Sequence, residues 1–100
     1  MYTIPKLREL IENVPYKPPV GRLKLQTVIR RPYRIHVIWE YESPYTLPKE
    51  WRSPIVDDVE IIKVNPHTAL IVLRIATPVT EEHVPFFLNR VQKVLTYILG

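Results

Sequence analysis

The chain has 100 residues, a length that suits one domain with a modest core, which oligomerisation would supplement. Hydrophobic residues make up 46% and charged residues 24%, a globular composition that argues against disorder. A net charge of +4 is compatible with a polyanionic partner, while the lack of cysteine excludes disulfides and thiolate zinc sites, and two glycines are too few for a phosphate-cradling loop.

The N-terminal stretch Met1-Tyr2-Thr3-Ile4-Pro5-Lys6 lacks a signal peptide's apolar core, and no run reaches the length of a membrane span. A soluble cytoplasmic protein with no membrane partner is therefore expected. Thr3 can cap a first helix with Pro5 in its first turn, and Leu7, Leu10, Ile11 and Val14 give that helix one apolar face. Pro15 stops it, and Pro15-Tyr16-Lys17-Pro18-Pro19 reads as a stiff connector. Gly21 introduces the first strand. Its alternation sends Leu23, Leu25, Thr27 and Ile29 inward and Arg22, Lys24, Gln26, Val28 and Arg30 outward. Arg31-Pro32 makes the turn. The second strand sends Tyr33, Ile35, Val37, Trp39 and Tyr41 inward, and Arg34, His36, Ile38, Glu40 and Glu42 outward.

Residues 43–54 contain three prolines and read as a long loop with a basic–aromatic set, Tyr45, Lys49, Trp51 and Arg52. Tyr45 and Trp51 either cover the core edge or stand exposed as stacking platforms. A second hairpin follows: Val59 to Val64, the turn Asn65-Pro66-His67, then Thr68 to Ala76. Ala69-Leu70-Ile71-Val72-Leu73 is apolar on both faces, which marks a central strand. Thr80 is the expected cap of the last helix, with Glu81 and Glu82 near its positive end and Pro85 at its first turn. Val84, Leu88, Val91, Leu95 and Ile98 form an apolar seam, widened by Phe87 and Val94. Phe86, Arg90, Lys93 and Tyr97 line up on roughly the opposite side. The fold class is α+β: a four-stranded antiparallel sheet with both helices packed on one face.

The chemistry points to a binding protein, not an enzyme. Asp57-Asp58-Val59-Glu60-Ile61-Ile62-Lys63 contains two carboxylates, Asp58 and Glu60, on one strand face, which would suit a divalent cation. Metal-dependent nucleases also need a lysine beside them, but here two residues separate Glu60 from Lys63 and alternation turns Lys63 to the opposite face. The run reads as a charged strand edge that discourages pairing with other chains. His36, His67 and His83 lie on three elements with no ligand partner at helical spacing, and Ser43 and Ser53 lack a nucleophile's setting. No catalytic residue, metal site or cofactor is expected. What remains is a cationic, aromatic-bearing surface: Arg22, Lys24, Arg30, Arg31 and Arg34 on the first hairpin, Tyr45, Trp51 and Arg52 in the loop, and Phe86, Arg90, Lys93 and Tyr97 on the last helix. Cations track a polyanion backbone and rings stack on unpaired bases.

In its cysteine-free basic composition and its helix, four strands and closing amphipathic helix, the chain resembles the ThermoDBP-related single-stranded DNA-binding proteins of hyperthermophilic archaea. Eleven prolines against two glycines fit a heat-adapted protein. The resemblance implies a non-enzymatic binder of single strands that works as a homodimer or higher oligomer. Its site would use the basic strand face Arg22, Lys24, Arg30 and Arg34 with Tyr45 and Trp51 near a cleft. RNA is the second polyanion such a surface would accept. The alternative expectation is a small dimeric interaction or viral assembly protein that binds no nucleic acid and uses its sheet face and terminal helix.

Overall fold

A computed structural model describes residues 2–49, 51, 58–76 and 79–100. The chain runs through α1 (Ile4–Glu12), β1 (Arg22–Arg31), β2 (Arg34–Glu42), β3 (Val59–Asn65), β4 (Thr68–Ala76) and α2 (Val84–Leu99). The strands form one antiparallel sheet in the order β1-β2-β4-β3, so β2 and β4 are central. This is the expected α+β arrangement. Leu7 and Ile11 of α1 and Phe87, Val91, Val94 and Leu95 of α2 share one core with Val37, Trp39, Ile71 and Leu73. Both helices therefore cover the same sheet face. The apolar run of β4 is explained by its central place: Ile71 and Leu73 enter that core, while Val72 is buried on the other face.

Local chemistry sets the helix ends. Thr3 Oγ1 accepts the Lys6 N–H at 3.3 Å, and a proline occupies the first turn of α1, where a missing N–H costs nothing. The helix ends at Glu12, before Pro15, because the residue ahead of a proline is pushed out of helical geometry. The expected Thr80 cap takes a different form. The Thr80 carbonyl accepts from the N–H groups of His83 (3.0 Å) and Val84 (3.1 Å), while its hydroxyl bonds His83 Nδ1 at 2.6 Å. Thr80 thus folds a separate turn, and α2 proper starts at Val84, since Pro85 has no N–H to extend the ladder backwards.

Two backbone irregularities redirect side chains that simple alternation placed otherwise. The β1–β2 register slips between Leu25 and Thr27, a bulge at Gln26. Beyond it Val28, not Thr27 or Ile29, enters the core opposite Val37. Thr27 and Ile29 turn to the open face, and Arg30 crosses to the helix side, in register with Ile35. Arg8 of α1 secures the bulge from the edge, donating to the carbonyls of Leu25 (3.0 Å) and Gln26 (3.2 Å). The second irregularity is the β1–β2 turn. Tyr33 does not begin β2 or face inward; it sits in the turn with φ 62° and 88% exposed. Proline holds φ negative at the first turn position, so the positive φ of a type II turn falls on Tyr33.

Candidate nucleic-acid interface

The hairpin tip gathers the cations. Arg31 and Arg34 face each other across the turn in register, with Tyr33 between them in sequence and Arg30 beside them on the opposite face. Among the described residues none of these three arginines has a carboxylate partner. One step along the sheet His36 pairs in register with Arg74. Burial, then the charges of Arg74, Arg31 and Arg34, push the His36 imidazole below its ordinary pKa, because each disfavours a further positive charge there.

A groove of about 510 Å³ opens beside this tip, where the end of β4 meets the start of α2. Ile75, Val79 and Phe87 give it an apolar floor; Phe86, 75% exposed, stands at its side; Arg34, Arg74 and Arg90 supply its charge. Two of those arginines are held by carboxylates at the start of β3, Asp58 just before the strand and Glu60 within it. Arg90 Nη2 donates to both oxygens of Asp58 at 2.8 and 2.7 Å, and Arg74 is paired with Glu60. The two carboxylates weighed for a nuclease therefore serve as arginine partners, and Lys63 donates instead to the Pro48 carbonyl at 2.5 Å. Among the described residues no group of three acidic, histidine or cysteine side chains is placed to hold a metal ion.

The remaining predicted site residues lie elsewhere. Arg22 and Lys24 are on the open face near the far end of the sheet, in register with Glu42 and Glu40. From Arg34 to Glu42 the strand spans roughly 26 Å. Tyr45, 69% exposed, belongs to that far end too: its carbonyl meets His67 Nδ1 at 3.0 Å. Its loop is stitched to the β3–β4 turn, with Ser43 N–H donating to His67 O (2.8 Å) and Leu47 N–H to Pro66 O (2.7 Å). Trp51 takes the core-edge role, half-buried and edge-to-face against Tyr41 with ring centroids 6.0 Å apart. Lys93 and Tyr97 are exposed on the outer side of α2. Arg52 lies outside the described residues. The structure thus brings Arg30, Arg31, Arg34, Phe86 and Arg90 to one end and separates them from Arg22, Lys24, Tyr45, Lys93 and Tyr97. Sequence alternation missed Tyr33 and Arg74; Pro32 was the available signal for the first, and nothing local marked the second.

The open face also carries an apolar row. Ile29, Ile38, Val72, Leu70 and Ile62 alternate away from the helix-side core, and none belongs to it. No helix among the described residues is long and apolar enough to cross a membrane. No protein-family model, curated protein or solved structure matches this chain. Fold and surface together define a small α+β protein with a cationic, aromatic-bearing sheet end and a groove beside it.

Proposed function

We propose that this protein binds single-stranded nucleic acid without enzymatic activity, using the hairpin tip and the adjoining groove. The observation that carries the reading is the tip itself: Arg31 and Arg34 stand in register across the turn, Arg30 lies next along β1 on the opposite face, and none of the three has a carboxylate partner among the described residues, beside an exposed ring. Like charges held this close repel, and a polyanion is the partner that relieves the repulsion while gaining counterion release. The apolar floor and Phe86 favour unpaired bases over a duplex, whose bases are stacked away. DNA and RNA both meet these requirements; the proline-rich, cysteine-free composition and the likeness to archaeal single-strand binders support a cytoplasmic, heat-adapted DNA binder. Fluorescence anisotropy with labelled single-stranded DNA, RNA and duplex DNA tests the proposal. Binding should be tightest to single strands and fall steeply with salt; no binding near about 50 mM salt refutes it.

A second reading is favoured by the apolar row on the open face: association with a second copy through that face. Its flanks carry both signs, Arg22 and Lys24 with Glu40 and Glu42, which a two-fold pairing can match. Sedimentation that shows a monomer at micromolar concentration would remove it, with no effect on the first reading.

A further inference from the structure

We infer that Tyr33 is the base-stacking residue of the hairpin tip, and that its ligand is the exposed face of a nucleobase whose phosphates lie on Arg31 and Arg34. The inference rests on the nucleic-acid reading above and says which ring does the stacking. Three observations carry it. Tyr33 is the most exposed large apolar side chain among the described residues, at 88%, and it is not part of the core. It occupies the left-handed region, φ 62°, where a bulky side chain meets steric resistance and glycine or asparagine would serve the turn better. Arg31 and Arg34 are paired directly across the turn from each other, so a cation stands on each side of the ring in the chain. Packing does not call for this ring and backbone geometry opposes it. A requirement at the surface accounts for both facts.

The tip has the parts that sequence-tolerant stacking needs. A planar face is offered to solvent, the proline before it limits how far the turn can rearrange, and guanidinium groups lie within reach of the phosphates that flank a stacked base. An unpaired base presents such a face, and so does the terminal pair of a duplex. The interior of a duplex does not.

The test uses the full chain, as wild type, Tyr33→Gly and Tyr33→Phe, with three probes: labelled oligo-dT, a blunt-ended duplex and a relaxed circular duplex. Tyr33→Gly should bind oligo-dT about 5- to 140-fold more weakly at fixed salt, the loss expected for one stacked base. Its salt slope should be unchanged, because no charge is removed. Its melting midpoint should hold or rise, because glycine fits the left-handed backbone. Tyr33→Phe should bind as wild type. A parallel loss on the blunt duplex but not the circle identifies terminal pairs as a further source of the base face; a loss on oligo-dT alone identifies unpaired bases. Equal binding of oligo-dT by wild type and Tyr33→Gly overturns the inference and leaves the nucleic-acid reading standing. A Tyr33→Gly chain that loses binding together with its melting midpoint assigns the ring to the fold and also overturns it. A wild type that binds none of the probes overturns both readings.

Discussion

Replacing Asp58 by Asn should strengthen nucleic-acid binding while slightly weakening the fold. Asp58 holds Arg90 Nη2 at 2.8 and 2.7 Å in the groove, where the charge of Arg90 is spent internally. The Arg90 and Asp58 side chains are 41% and 24% exposed, so water already screens the pair. Pairs this open contribute about 0.2–1 kcal/mol, and at about 4–8 °C per kcal/mol for a domain of this size the melting midpoint should fall by about 1–8 °C. Binding moves the other way. Each phosphate contact on a single strand contributes roughly −0.7 to the slope of log affinity against log salt. Arg30, Arg31 and Arg34 alone give a slope of about −2, and a released Arg90 takes it to about −2.8. Between about 50 and 200 mM salt the wild type should then lose about 18-fold and the variant about 50-fold. Anisotropy titrations across that range read both numbers. Glu42→Gln is the control: it changes the net charge equally, at the far end of the sheet. If Asp58→Asn and Glu42→Gln show the wild-type slope alike, Arg90 does not meet the strand and the groove is not part of the interface.

Position along the sheet gives a second test: Arg34→Gln should weaken binding several-fold, whereas Arg22→Gln, opposite Glu42, should leave it within about twofold, and equal losses would spread the interface over the whole face. His36 gives a third, through pH. Its folded pKa lies below the ordinary value of about 6.5, so the unfolded chain takes up the proton first; its contribution to stability is complete above about 6.5 and is lost as pH falls from there through the folded pKa. Bound phosphates favour the protonated ring, so affinity should rise as pH drops below about 6.5, and His36→Gln should flatten both curves. A fourth concerns the start of β1. Gly21 has φ +84° and an added Cβ would collide with the Glu42 carbonyl, so Gly21→Ala should cost more than the roughly 1–2 kcal/mol of a left-handed backbone alone, read as a lower denaturation midpoint.

Period and punctuation carried most of the architecture. The apolar spacing of Leu7 and Ile11, and of Val84, Phe87, Val91 and Leu95, is a direct record of which helix faces are buried, because burial is what selects those residues. The same holds for Ile35, Val37, Trp39 and Tyr41 on β2. The site was less legible because it depends on where the period breaks. The bulge at Gln26 carries no glycine to announce it; it is stabilised by Arg8, eighteen residues earlier in the chain, and such a partner leaves no local pattern. Arg90 and Asp58 are 32 residues apart, and Arg74 reaches Glu60 diagonally only because the β3–β4 register sets Glu60 opposite Val72. Trp51 could not be assigned without knowing that its ring meets Tyr41 edge-to-face.

The two breaks in period also determine what kind of strand path the basic end would suit. Without the bulge, Arg22, Lys24 and Arg30 would all lie on the open face, and a nucleic acid could run flat along β1 over three cations. With it, Arg30 turns to the helix side while Arg31 and Arg34 stay on the open face. The remaining open-face cations of β1, Arg22 and Lys24, stand in register with Glu42 and Glu40, whose opposite charges lower the local positive potential there. On the nucleic-acid reading, then, the favourable track crosses the end of the sheet: from Arg31 and Arg34 over Tyr33 to Arg30 on one side, and from Arg34 into the groove beside Phe86 on the other. Such a path is short, a few nucleotides at most. That is consistent with a chain of this size gaining affinity by placing several copies along one strand rather than by wrapping it.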